Sequence, residues 1–390
     1  NYVFQKFVRT AFGSNNVDHC ARLCHASTVA GLARSFGSGA MTNSIEELEH
    51  AEVILVTGSN TTETHPVIAT RIKKAVLFHG ARLIVIDPRQ IDLVNYTEKY
   101  GGMWLRQKNG SDVAWANGLM NVIISEGLLA EEFVKTRTED FEALKKVVSG
   151  YSPEKVEKIS GIPAERLRQA ARLYAGARCA SIVYSMGITQ HTTGTDNVKS
   201  LANLTMLCGN VGLRGGGVNP LRGQNNVQGA CDMGGLPNVF SGYQAVTDPD
   251  RRWKMEAAWG VRNLPDWVGM TMTEMLPAIP EGKIKALYII GENPVISDAD
   301  TDQVINPLQL LDFLVVQDIF LTETGKLAHV VLPAASFAEK DGTFTNTERR
   351  VARVRQVIPP VGDSKPDWQI IAGISRRLNH PMPFADPEAI

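Results

Sequence analysis

Short apolar runs that close on Gly, Asn or Asp recur along this chain, and stretches with helical spacing separate them. The first is Val53-Ile54-Leu55-Val56-Thr57-Gly58-Ser59-Asn60. An unbroken apolar run with a polar exit predicts a strand of a parallel sheet, buried on both faces. Pro66-Val67-Ile68-Ala69, Ile72 and Ala75 follow at helical spacing, and Ala81 to Ile86 predicts a second strand leaving through Asp87-Pro88-Arg89. Strand, crossover helix and strand form a βαβ unit, whose ligands gather beyond the carboxyl ends of the strands. Gly58, Asn60, Asp87 and Arg89 occupy those exits.

The pattern predicts further helices over 112–126, 163–174 and 197–207, the second with Pro163 near its first turn, and a strand over 180–187. Ahead of the first strand, Ser44 and Glu47 have the spacing of a capping box and predict a helix start. From 208 to 226 the chain is dense in Gly and Asn, which reads as an irregular loop bringing backbone close to a ligand. A second α/β pattern resumes with apolar runs at 284–294, 313–318 and 329–333. Its Gly291-Glu292-Asn293 echoes Gly58-Ser59-Asn60 and suggests two related nucleotide-binding units. Residues 341–350 read as a turn between strands. The Pro-rich tail reads as an unfinished segment, and the opening residues as the middle of a longer protein.

Composition narrows the class. A length of 390 residues suits two or three α/β units. The net charge of −1 gives no electrostatic footprint for nucleic acid or an anionic membrane. No run reaches the roughly 18 apolar residues that span a bilayer, so no direct membrane insertion is expected. Five cysteines without a CxxC pair argue against a disulfide scaffold and against a four-cysteine metal or cluster site here. They suit a reducing, cytoplasmic-type compartment. Neither a GxGxxG fingerprint after a strand nor a P-loop is present.

The candidate chemistry starts at Cys24-His25, which precedes an apolar helical run. A helix N-terminus favours a thiolate, and a thiolate is a nucleophile, a redox group or a soft metal ligand. Asp87 at a strand end can accept from N–H and O–H donors of a base or ribose. Arg222 in the Gly/Asn-rich stretch can hold a small carboxylate, and Gln224 lies beside it. His65 and His191 show no partner in the sequence and read as structural.

Two stretches together are specific. Cys24-His25, with Arg222-Gly223-Gln224-Asn225-Asn226-Val227-Gln228-Gly229-Ala230-Cys231-Asp232, resembles the catalytic subunit of molybdenum or tungsten formate dehydrogenases, enzymes that carry two molybdopterin guanine dinucleotides. Thr57-Gly58-Ser59-Asn60, Val85-Ile86-Asp87-Pro88-Arg89, Gly291-Glu292-Asn293-Pro294, Val316-Gln317-Asp318 and Lys365-Pro366-Asp367-Trp368-Gln369 extend the resemblance over the whole chain. It implies two Rossmann-like αβα domains, without the N-terminal [4Fe–4S] domain and the C-terminal β domain of that family. The expected divisions are 20–222, then 1–19 with 223–336, then a further segment 337–390.

The resemblance also implies roles. Cys24 matches the metal ligand, His25 a histidine assisting proton or hydrogen transfer, Arg222 the arginine holding formate, and Gln224 a glutamine near pterin and metal. Gly58, Asn60, Glu63, Asp87, Arg89, Gly110, Gly187, Gln190, Gly291, Glu292, Asn293, Gln317 and Asp318 fall where the family holds the guanine dinucleotides. The implied partners are formate or CO2 and an iron–sulfur electron-transfer subunit or domain. Two alternatives stand beside this reading: another molybdopterin oxidoreductase such as a nitrate reductase, and a cofactor-free scaffold like the large subunit of NADH dehydrogenase.

Overall fold

The first apolar run pairs on both sides. Strand β1 (Val53–Thr57) lies parallel to β2 (Arg82–Ile86) and to β4 (Ala180–Tyr184), with Val53 opposite both Arg82 and Ala180. β3 (Met103–Leu105) and β5 (Val218–Pro220) complete an all-parallel sheet of order β3-β2-β1-β4-β5. Successive β1 side chains feed opposite faces. Leu55 packs with Ile84, Ile182 and Trp115, while Ile54 and Val56 pack with Ile68, Ile72 and Val85. Every residue of β1 is buried, as expected for a central strand covered by helices on both faces. The crossover helix Pro66–His79 begins on Pro66 and stops at Gly80 in the left-handed conformation.

The computed structural model describes all residues 1–390, which fall into two compact units. One comprises Leu23–Asn225 and Thr347–Arg350 and holds the five-stranded sheet. The other comprises Asn1–Arg22, Asn226–Asn346 and Val351–Ile390, so 351–390 counts with the second unit. Its parallel sheet has three strands, β6 (Ala286–Ile290), β7 (Phe313–Asp318) and β8 (Val330–Pro333), with β7 in the centre. Leu314 and Val316 of β7 pack with Ile279, Val304 and Leu308. An antiparallel ribbon pairs β9 (Gly342–Thr345) with β10 (Val351–Val354), in accord with the expected turn. No helix is long and apolar enough to cross a membrane.

Two sequence expectations need correction. The 208–226 stretch is not wholly irregular, because Val218–Pro220 forms a buried edge strand. Strand pairing there uses the backbone, and Pro220 is tolerated at an edge. Ser44 does not cap a helix. Its hydroxyl donates to Glu47 Oε1, Glu348 takes the Ile45 N–H, and only a 3-10 turn, Glu46–His50, follows. The Pro-rich tail contains the helix Asp367–Arg377, whose Ile371 packs against Val3 and Phe7 of Tyr2–Ala11. Tyr2–Ala11 escapes an apolar-period reading because its buried positions include Gln5 and Arg9.

Candidate active site

Cys24 lies one residue ahead of the helix Ala26–Phe36, with His25 at the N-cap. Side chains from the β4 exit hold this approach, as Thr189 Oγ1 donates to the Cys24 carbonyl at 2.6 Å and Gln190 Nε2 to the Leu23 carbonyl at 2.8 Å. The Cys24 thiol is buried, and burial pushes its pKa up. The Gly223 N–H and the Arg222 charge oppose that rise without reversing it. Desolvation thus outweighs the Gly223 N–H and the Arg222 charge and disfavours a free thiolate here, contrary to the expectation from the helix N-terminus. A thiolate at this depth calls for a cationic partner.

Arg222 is only 3% exposed. Its backbone is pinned, the N–H donating to Thr347 Oγ1 at 3.3 Å and the carbonyl accepting from His65 Nε2 at 2.8 Å. On the guanidinium, Nη2 donates to the Gly39 carbonyl at 2.7 Å, while Nε and Nη1 have no partner. A buried guanidinium with two unspent donors is costly unless an acceptor arrives. His25 is fully buried beside it, Nε2 lying 2.9 Å from the Leu221 carbonyl and Nδ1 2.9 Å from Thr28 Oγ1. Burial, then the Arg222 charge, lowers its pKa to about 4, so the ring is neutral at pH 7. Gln224 sits exposed in the adjoining loop.

The strand exits form a cavity of about 370 Å3 lined by Gly58, Asn60, Asp87, Arg89, Gly110 and Gly187, with Gln107, Asp112 and His191. The first six are expected positions. Gln107, Asp112 and His191 were missed, Asp112 because the sequence marks it only as a helix start. Gly58 has φ +57, and a Cβ there would lie 2.7 Å from the Gly187 backbone. Two glycines therefore keep the wall open where side chains would close it. Burial raises the carboxyl groups of Asp87 and Asp112 above their usual range. Gln107 is nearly buried and its Oε1 has no partner. His191 Nε2 donates to the Gly187 carbonyl at 2.9 Å and stands 3.8 Å from Asp112, a partner the sequence did not reveal. Glu63 is exposed on the short helix Thr61–Thr64 and does not line the cavity.

The remaining expected positions lie in the other unit. Gly291, with φ +62, donates its N–H to the Gln317 carbonyl at 2.9 Å. Burial, with Asp298 and Asp18 adding to it, pushes the Glu292 carboxyl up to about 7. Asn293 Oδ1 accepts from Thr324 and its Nδ2 donates to Glu323. Asp318 Oδ1 accepts from the Ile319 N–H at 2.7 Å. Buried Gln317 has both amide heavy atoms spent, accepting from Tyr288 and donating to Asp367. The structure leaves that amide engaged with protein.

The five-stranded unit is thus a doubly wound α/β fold with an acceptor-rich cavity at its strand exits, the place where such sheets receive ligands. A model described as molybdopterin oxidoreductase matches residues 1–377, and the chain belongs to that family. It is 53% identical over 381 residues to the F420-dependent formate dehydrogenase subunit alpha of Methanocaldococcus jannaschii, covering 97% of this chain and 55% of the relative. It is 45% identical over 390 residues to formate dehydrogenase H of Escherichia coli, covering 100% of this chain and 54% of the relative. The chain thus spans about half the length of the curated relatives it matches. The acetylene hydratase of Pelobacter acetylenicus superposes with a TM-score of 0.80 at 24% identity, over 100% of this chain and 55% of that one, a likeness of fold alone.

Proposed function

We propose that this chain forms the central part of a formate dehydrogenase catalytic subunit and interconverts formate and CO2 at a molybdenum or tungsten centre held by two molybdopterin guanine dinucleotides. The observation that carries the reading is Arg222, buried with two unpaired guanidinium donors beside Cys24. A one-carbon carboxylate supplies the acceptor oxygens those donors lack. The relatives' names add weight, since the M. jannaschii and E. coli proteins are formate dehydrogenases.

The residues present fit such a cofactor. Cys24 offers a soft sulfur ligand whose buried thiolate a metal would stabilise. The cavity presents Asp87, Asp112 and the orphaned Gln107 Oε1, acceptors matched to the N–H edge of guanine, between glycines that admit a close ligand. When bound, the cofactor supplies the two-electron redox chemistry, and the protein supplies ligand, orientation and field. Arg222 binds and orients the carboxylate, while burial of the site keeps water from competing for it. An iron–sulfur subunit or domain would be the partner that accepts the electrons, in a reducing, cytoplasmic-type compartment. None of the five cysteines is joined in a disulfide.

The test is Arg222→Ala and Cys24→Ser in the whole subunit, purified without oxygen from a host that makes the cofactor. R222A is expected to keep the metal and lose formate turnover by at least ~100-fold, of the order expected for losing a charged contact. C24S is expected to lose or weaken the metal, read by mass spectrometry. Undiminished formate turnover in R222A would sink the assignment.

A further inference from the structure

The sequence reading gives His25 a part in moving a proton, yet both its ring nitrogens are occupied within the protein. The Leu221 carbonyl carries no proton, so His25 Nε2 must donate to it. In the neutral ring Nδ1 then holds a lone pair, and Thr28 Oγ1 donates to it at 2.9 Å. With its single proton spent, the Thr28 hydroxyl accepts from Tyr184 OH, 3.0 Å away. His25, Thr28 and Tyr184 are each fully buried. The tautomer follows from the network rather than from an observed hydrogen.

The carbonyl that receives His25 belongs to the residue before Arg222, and a second imidazole takes the next one. His65 Nε2 donates to the Arg222 carbonyl at 2.8 Å, with His65 Nδ1 2.8 Å from Thr64 Oγ1. Ser185 Oγ donates to Leu221 as well, at 2.9 Å. Consecutive carbonyls at Leu221 and Arg222 are thus gripped by two imidazoles from two helical segments. The free guanidinium donors of Arg222 project from a backbone that these rings fix.

We propose that His25 and His65 are positioning residues that clamp the Leu221–Arg222 backbone, with Thr28 and Tyr184 seating the His25 ring through Nδ1. The clamp deepens the formate reading and rests on it only for its consequence in catalysis. The Leu221 carbonyl sets the tautomer, and Thr28 donates to the Nδ1 lone pair that this leaves. Tyr184 acts one bond further out, and His65 acts on the far side of the same peptide.

The test is nitrogen-15 histidine NMR of the 390-residue chain, with the His25 signals assigned through His25→Gln. The expected spectrum at pH 7 shows His25 with a protonated Nε2 and a bare Nδ1. An Nδ1–H tautomer with a bare Nε2 would overturn the proposal without any further variant. Thr28→Val is expected to shift the His25 Nδ1 resonance by removing its donor while Nε2 stays protonated, and Thr28→Ser to restore the wild-type spectrum. An unchanged His25 spectrum in T28V would equally overturn it. In the loaded whole subunit, T28V and His65→Ala are each expected to raise KM for formate about tenfold with a smaller change in kcat, the scale of one lost hydrogen bond. His65→Gln, whose amide can still donate, is expected to recover most of that loss. If R222A left formate turnover intact while the spectrum came out as stated, the formate reading would fail and the clamp would stand.

Discussion

Glu292 carries a cost that its position makes measurable. It follows β6, half-buried, and burial with Asp298 and Asp18 nearby pushes its carboxyl up to about 7. Its unfolded value lies near 4.3. A group whose folded pKa is raised binds its proton more tightly in the folded state. Whatever stability the protonated form supports is present below the unfolded value and lost as pH rises through about 7. Glu292→Gln is therefore expected to raise the Tm of the cofactor-free chain at pH 8 by a few degrees and to leave it unchanged at pH 4.5. An equal Tm at both pH values would show that the carboxyl is solvated. At this scale the sequence was informative where a residue's role is written in its neighbours along the chain. Cys24-His25 and the string from Arg222 are each contiguous, so the family resemblance they carry could be recognised in the sequence. Tyr184 and His65 were not legible, because their contacts with Thr28 and Arg222 span 156 and 157 positions and leave no local pattern.

The parallel strands were legible as elements for a definite reason. Burial on both faces demands an unbroken apolar run, and nothing else in a protein of this composition writes one so clearly. Val53–Thr57, Arg82–Ile86, Ala180–Tyr184 and Phe313–Asp318 all declared themselves in this way. Val218–Pro220 did not, since an edge strand needs only backbone on one side and three residues give no period. The sheet also fixes glycines that no pattern explains. At Gly102, just before β3, a Cβ would stand 2.1 Å from the Leu83 carbonyl oxygen of the neighbouring strand, a contact only backbone movement can relieve. Gly342, which opens β9, has nothing within 4 Å of the same position. Gly102→Ala is expected to destabilise by about 3 kcal/mol, at the upper end for overpacking, and Gly342→Ala by about 0.5 kcal/mol or less, as at open surface sites. On the apolar side, Leu55→Ala in the central strand is expected to cost about 3 kcal/mol through lost burial and the cavity left behind. Urea unfolding of the three variants ranks these effects, and a G102A loss no larger than that of G342A would contradict the close approach.

For the molecule as a whole, the proposed cofactor raises the question of how many nucleotide half-sites the chain would hold. The unit of Leu23–Asn225 has a cavity of about 370 Å3 at its strand exits, an orphaned buried acceptor and glycines held open. The other unit repeats the Gly-x-Asn strand exit at Gly291-Glu292-Asn293, but its Gln317 and Asn293 side chains are already bonded to protein. Two half-sites of equal standing would both lose solvent contact when the cofactor enters, because a ligand that binds the native state stabilises the backbone it covers, by about 2.7 kcal/mol when present at a hundredfold excess over Kd. Hydrogen exchange compared between loaded and cofactor-free protein can therefore count them. Slowed exchange is expected at 58–60, 87–91, 107–112 and 187–191, with a second patch at 291–293 and 318. Protection confined to the first group would remove Gly291, Glu292, Asn293, Gln317 and Asp318 from the binding set and leave the five-stranded unit as the only nucleotide site of this chain. Protection at both would mean that Asn293 exchanges its contacts with Thr324 and Glu323 for the ligand, a change the same experiment would register as faster exchange at the Thr324 N–H.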